Sequence, residues 1–219
     1  MILEVQIFYP WTRGYPTNLK ILEKFAPKIF VRGELKPQDN QSVAIVGSRN
    51  MSVYGKELAE RFSRFLALRG VTVISGLARG VDTVSHMAAL KVQGRTVAVL
   101  GSGVDVIYPP ENLALSRRIA ENGAVISQFP LGTKPLPQNF LIRNKVIAAL
   151  SKAVVVIEGA RRSGTFSIAS HAANLGREVF AVPGPINSPL SGTPNFLIEQ
   201  GARIATKPED ILDILTDSV

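Results

Sequence analysis

Six short apolar runs alternate with segments of helical periodicity, and that rhythm limits what this chain can fold into. The runs cover residues 43–46, 71–75, 96–100, 124–127, 153–157 and 178–182. Most are continuously apolar rather than alternating, the pattern of strands covered on both faces. Between them, residues 55–69, 80–92, 111–121, 139–150 and 163–175 carry the spacing of amphipathic helices. A βαβα order of this kind predicts an α/β protein, with a doubly wound, mostly parallel sheet and helices on both faces. Gly70, Gly94, Gly123 and Gly176 follow the helical runs, where a left-handed C-terminal cap favours glycine. Residues 1–40 read differently. Prolines at 10, 16, 27 and 37, with Trp11, Tyr15 and Phe25 among them, predict an irregular or helical prelude packed on a main domain spanning 41–219. The closing stretch "PEDILDILTDSV" opens on Pro208-Glu209-Asp210 and continues as a short helix.

Charge narrows the function. The formal net charge is +8 and the isoelectric point is near 10.0, an excess that favours polyanions, although an ordinary basic protein has the same balance. The chain has no cysteine, so disulfides and thiolate metal sites are excluded. Its two histidines, His86 and His171, are far apart and lack a zinc-ligand pattern, so no metal is expected. No apolar stretch approaches the roughly 20 residues that span a bilayer. The start "MILEVQIFYPWTRGYP" lacks a basic n-region and meets Pro10 early, unlike a signal peptide. A reducing cytoplasm is the expected location.

In a parallel sheet, ligands bind at the carboxyl ends of the strands, where helix N-termini attract anions. The first exit is Gly47-Ser48-Arg49: glycine admits a phosphate to the backbone, serine donates to it, and arginine grips it bidentately. The competing reading is a tight turn with Arg49 in solvent. At the second exit, "SGLARGVD", Asp82 would brace the next helix, with Arg79 a weaker phosphate candidate. The loop "FPLGTKPLPQNFLIRNK" brings Lys134, then Phe140, Arg143 and Asn144 at a helix start. Cations for phosphates beside a ring for base stacking suit single-stranded nucleic acid, although Phe140 would equally serve as a core anchor. The last exit, "EGARRSGTFSIA", runs through Arg161-Arg162 into Ser163-Gly164-Thr165 at a helix N-terminus, an anion cradle without the lysine of a P-loop.

Two enzyme classes are poorly served. Gly101-x-Gly103 is followed by Val106 where a third glycine is required, and Ser127-Gln128 stands where an acid would hold a ribose, so NAD is excluded and no cofactor is expected. There is no Ser/His/Asp grouping, no G-x-S-x-G and no paired acids, so no catalytic residue is assigned. Glu158 ends a strand, where it could act as a general base, but has no obvious partner.

Taken together, "AIVGSRNMSVYG", "VISGLARGVDTVSHMAAL", "AVLGSGVDVIYPPEN", "FLIRNKVIAALSKAVVVIEGARRSGT" and "REVFAVPG…GTPNFLIEQGA" resemble the DNA-processing protein A family, also called DprA or Smf, over about residues 15–206. The resemblance implies an extended Rossmann-like domain that forms homodimers, binds single-stranded DNA and loads RecA recombinase onto it during natural transformation. It makes Gly47, Ser48 and Arg49 the phosphate grip and Phe140 a base-stacking residue. Arg143, Asn144, Ser163, Gly164 and Thr165 would line the same pocket, with Lys134 in the matching loop. The family's Ser-Glu-(Tyr/Phe)-Pro is Ser127-Gln128-Phe129-Pro130 here, its Phe-Pro-x-Arg-Asn-Arg reads Phe140-Leu141-Ile142-Arg143-Asn144-Lys145, and its Thr-Ala after Ser-Gly is Ile168-Ala169. No winged helix is expected, so DNA binding would rest on the Rossmann-like domain. The alternative is a nucleoside-monophosphate glycosidase-like enzyme. Those enzymes carry a Pro-Gly-Gly-x-Gly-Thr motif, whereas this chain has Gly159-Ala160-Arg161-Arg162-Ser163-Gly164-Thr165.

Overall fold

The central apolar runs become parallel strands buried on both faces. In the computed structural model, which describes residues 4–161 and 163–216, these are β3 (Ser42–Val46), β4 (Thr72–Ser75), β5 (Thr96–Val99), β6 (Ala124–Ser127), β7 (Ala153–Val156) and β8 (Glu178–Ala181). With β1 (Val5–Phe8), β2 (Ile29–Gly33) and β9 (Arg203–Ile204) they form one nine-stranded sheet in the order β1-β2-β6-β5-β4-β3-β7-β8-β9. The helices are α1 (Val53–Leu68), α2 (Val81–Lys91), α3 (Leu113–Asn122), α4 (Pro137–Leu150), α5 (Gly164–Asn174), α6 (Gly192–Glu199) and α7 (Asp213–Thr216). On one face, α4 and α5 pack Ile147 and Ala172 onto Val46, Val99 and Val154. On the other, α1 packs Phe62 and Leu66 onto Val43, Ile45 and Val155. This is the doubly wound, Rossmann-like α/β fold that the alternation predicts. The chain advances from β3 to β6 in one direction, then crosses to β7 and β8 on the other side of β3. A crevice forms where the winding reverses.

The prelude departs from expectation. Instead of an irregular or helical segment, it supplies β1 and β2, paired antiparallel to each other, with β2 antiparallel to β6. Prolines punctuate these strands without entering them, and β1 lies at the sheet edge with only Val5 and Phe8 partly covered. A 3₁₀ segment, Thr17–Phe25, links the two and buries Leu19 and Leu22 against the α4–α5 side. Further along, Asp39 receives a bidentate pair from Arg95, at 2.5 Å from Nε and 2.8 Å from Nη2, with Thr72 Oγ1 donating at 2.9 Å. That buried clasp ties residues 36–40 to β4 and β5.

Two of the four glycine caps also differ. Gly70 and Gly176 take φ of 74° and 66°, as expected. After α2 the left-handed residue is Gln93 (φ 56°), while Gly94 permits close packing, since a Cβ there would stand 2.5 Å from the Ala67 Cβ. Gly123 is extended at φ −171°, and a Cβ would lie 1.9 Å from the Thr96 carbonyl oxygen. The closing segment forms a 3₁₀ turn, Pro208–Ile211, and then α7, while residues 217–219 lie outside the described residues.

His86 is fully buried, and its Nδ1 lies 2.7 Å from Thr96 Oγ1. Thr96 gives its only hydroxyl proton to the Val73 carbonyl at 2.7 Å, so the imidazole donates from Nδ1. Burial, with Arg143 as a second cause, pushes its pKa down to about 3. The unfolded state protonates this group near 6.5 while the folded state refuses the proton. Stability from this site is therefore complete above pH 6.5 and falls as pH drops towards 3, at up to about 1.4 kcal/mol per pH unit. Urea titrations between pH 7 and 5 should show this slope, and His86→Leu should flatten it.

Candidate functional site

Where the winding reverses, the exits of β3, β4, β5 and β7 enclose a cleft of about 630 Å³. Its floor is backbone held in shape by neighbouring groups. The Ser48 carbonyl accepts from Val81 N–H at 3.1 Å, and Ser48 Oγ accepts from Asn50 N–H at 3.1 Å. The turn therefore delivers Arg49 to the surface. Arg49 is exposed, with its guanidinium 5.2 Å from the centroid of the Phe140 ring.

Phe140 sits in the first turn of α4, which Pro137 opens at a position that needs no N–H donor. The ring is half-buried. It lies on the β5 exit so closely that a Cβ on Gly101 would come within 2.8 Å of it. This explains the glycine in the incomplete dinucleotide fingerprint: it seats a ring instead of admitting a pyrophosphate. Tyr108 lies tilted against the same ring at 5.8 Å, an aromatic neighbour that sequence reasoning missed because nothing in its local pattern points to Phe140.

Beneath the ring, Arg143 is 3% exposed. Its Nη1 donates to the Gly76 carbonyl at 2.8 Å and the Val99 carbonyl at 2.6 Å. Asp82 accepts from the N–H groups of Gly76 and Ala78, at 3.1 and 3.2 Å, and so braces the β4–α2 turn. Burial pushes Arg143 down to about 10, with Asp82 opposing and Arg49 adding to the shift. Burial likewise raises the Asp82 carboxyl, against the attraction of Arg143. At neutral pH Arg143 stays cationic, and its Nη1 joins two strand exits.

The remaining wall is the N-terminus of α5. Ser163, Gly164 and Thr165 line the cleft, and the side chain of the N-cap residue Ser163 makes no capping hydrogen bond. Its N–H groups and the positive end of the helix dipole favour an anion there. Asn144 Nδ2 donates to the Gly164 carbonyl at 3.2 Å, joining α4 to this terminus.

The structure thus brings Gly47, Ser48, Arg49, Phe140, Arg143, Asn144, Ser163, Gly164 and Thr165 onto one cleft. Lys134 is exposed on the neighbouring loop and does not line it, although Pro135 and Pro137 do. Arg79 is engaged with Glu111 at 2.6 Å. Arg161 lies over the Phe196 ring at 5.2 Å in an adjoining hollow, and Arg162 falls outside the described residues. Glu158 has the partner its sequence did not reveal. Its carboxylate accepts from Ser52 N–H at 3.0 Å and from Ser52 Oγ at 2.5 Å, while Ser52 Oγ accepts from Gly55 N–H at 3.0 Å to cap α1. Sequence reasoning missed both the Ser52 cap and its contact with Glu158, which spans 106 residues.

Residues 6–216 match the family described as DNA recombination-mediator protein A. The chain belongs to that family. Among its members, Protein Smf of Escherichia coli strain K12 is 47% identical over 92% of this chain and 54% of its own length. The chain thus spans about half of that relative. DNA processing protein A from Streptococcus pneumoniae superposes with a TM-score of 0.90 at 37% identity, covering 96% of this chain and 74% of that one. DNA processing protein A from Helicobacter pylori, whose structure concerns its single-stranded DNA binding mode, superposes with a TM-score of 0.86 at 29% identity, covering 98% of each chain. Among the described residues, no helix is long and apolar enough to cross a membrane.

Proposed function

We propose that the cleft holds single-stranded DNA and that this member of the recombination-mediator family acts by binding rather than by catalysis. The observation that carries the reading is the pairing of Arg49 with Phe140 in the same cleft as the α5 N-terminus, where Ser163 makes no side-chain capping hydrogen bond. Arg49 has no carboxylate partner among the described residues. It is free to take a phosphate, while the half-buried ring offers a face to a base. Gly47, Ser48, Asn144, Ser163, Gly164 and Thr165 shape the phosphate seat, Arg143 supports it from below, and Lys134 adds charge at its margin. The acids near the cleft are already engaged: Glu158 with Ser52, and Asp82 with two backbone N–H groups. That leaves a glycosidase-like reaction without a free base.

On this reading the protein delivers the strand to RecA recombinase during natural transformation, works as a homodimer in the cytoplasm, and needs neither cofactor nor metal. These steps rest on membership of the family. The cleft itself is tested by fluorescence anisotropy with labelled oligo(dT). Phe140→Ala should weaken binding by about 1–3 kcal/mol, the stacking of one base, with Phe140→Trp close to the parent. A folded Phe140→Ala protein with unchanged affinity, or release of free base from nucleoside monophosphates, would overturn the reading.

A further inference from the structure

The most exposed large aromatic among the described residues is Trp11, 80% exposed, in the turn after β1. Its ring stacks on Tyr9, with centroids 5.2 Å apart and planes 21° apart. The turn is fixed by its own hydrogen bonds: Thr12 N–H donates to the Tyr9 carbonyl at 2.9 Å, Thr12 Oγ1 donates to the same carbonyl at 2.8 Å, and Tyr9 N–H donates to Thr12 Oγ1 at 3.0 Å. A large apolar surface held in water by a rigid turn marks a binding feature rather than a packing one.

Strand register locates this turn. Phe8 lies opposite Ile29, and Phe30 opposite Ser127, the last residue of β6. Because β1 and β6 are each antiparallel to β2, they run in the same direction. The Tyr9–Trp11 turn therefore leaves the sheet on the same rim as the exits that form the cleft. In the sheet order, β1 lies five strand steps from β3, or about 24 Å along the rim at about 4.8 Å per step. The exposed charges near that course are mostly cationic. Arg13 follows Trp11, Lys28 precedes β2, and Lys134 stands on the β6 exit loop. The acids on the intervening β5 and β6 exit loops are both engaged: the Asp105 carboxylate accepts from Gly132 N–H at 2.9 Å, and Glu111 pairs with Arg79 at 2.6 Å.

We propose that the Tyr9–Trp11 pair is a second base-stacking platform, which holds the same strand after it leaves the cleft and crosses the rim over Lys134 and Lys28. The inference rests on the reading of the cleft given above. It commits to nucleic acid because an aromatic face beside cations that have no carboxylate partner among the described residues, in line with an anion site, matches the alternation of bases and phosphates.

Trp11 is the chain's only tryptophan, so its emission reports this site alone. A twenty-nucleotide oligo(dT) should quench the emission at saturation. A trinucleotide should displace labelled strand from the cleft and leave the emission unchanged. Trp11→Ala should weaken the long oligonucleotide about tenfold, the stacking of one base, without changing trinucleotide affinity. Saturating the long oligonucleotide with emission unchanged, or with Trp11→Ala binding like the parent, would overturn the platform and leave the cleft standing. Failure of both oligonucleotides to bind would instead remove the cleft, and the platform with it. Quenching that grows with protein concentration in the absence of DNA, together with a dimer mass that Trp11→Ala abolishes, would assign the turn to self-association and overturn the proposal.

Discussion

Replacing Arg143 with methionine is expected to lower folding stability by about 2–6 kcal/mol, because two buried carbonyls lose their donor at about 1–3 kcal/mol each. The side chain is 3% exposed and its Nη1 joins the Gly76 and Val99 carbonyls. Methionine fills much of the volume but leaves both carbonyls without that donor and Asp82 buried without its nearby cation. The measurement is the urea midpoint of the variant against the parent. A shift worth less than about 1 kcal/mol, within the range of ordinary substitutions, would show that the residue is not a brace. Any loss of DNA binding by this variant is expected to follow from collapse of the β4 and β5 exits.

Arg49→Ala should show the opposite division of effects. Arg49 is exposed, lies against the Phe140 ring and has no carboxylate partner among the described residues, so stability should change by no more than about 0.5 kcal/mol. A charged hydrogen bond to phosphate contributes about 1.5–3 kcal/mol, so affinity for oligo(dT) should fall about ten- to a hundredfold. Removing Arg49 also frees one face of Phe140, which a base can still use. Some residual stacking is therefore expected, and Arg49→Lys should recover part of the loss by restoring charge without the planar fork. Circular dichroism and urea titration establish that the variant is folded, and anisotropy then measures the loss.

These two arginines also show how far the sequence could be read. Arg49 follows β3 and Arg143 lies on α4 after the β6 exit, and both looked like phosphate ligands, because one residue type serves either role. Separating them requires knowing that Gly76 and Val99 present their carbonyls to one guanidinium, a contact between residues 44 and 67 positions apart. The parallel strands were legible because burial on both faces leaves a continuous apolar signature. The edge strand β1 and its neighbour β2 were not, since four or five residues between prolines carry little periodicity. Gly101 resembled part of a nucleotide motif, and only the position of the Phe140 ring reveals its use. Glu158 appeared to lack a partner because Ser52 reaches it from the far side of a crossover.

The central claim is that this rim grips the phosphates of a single strand, and the salt dependence of binding tests it most directly. Affinity for oligo(dT) and for a duplex of equal length should be measured across a salt series, for the parent and for Arg49→Ala. The account predicts that single strands bind more tightly than duplex, and that log affinity falls linearly with log salt. The slope for Arg49→Ala should be shallower by about 0.7, the counterion release of one phosphate contact on a single strand. Equal slopes for the two proteins, or a preference for duplex, would contradict it.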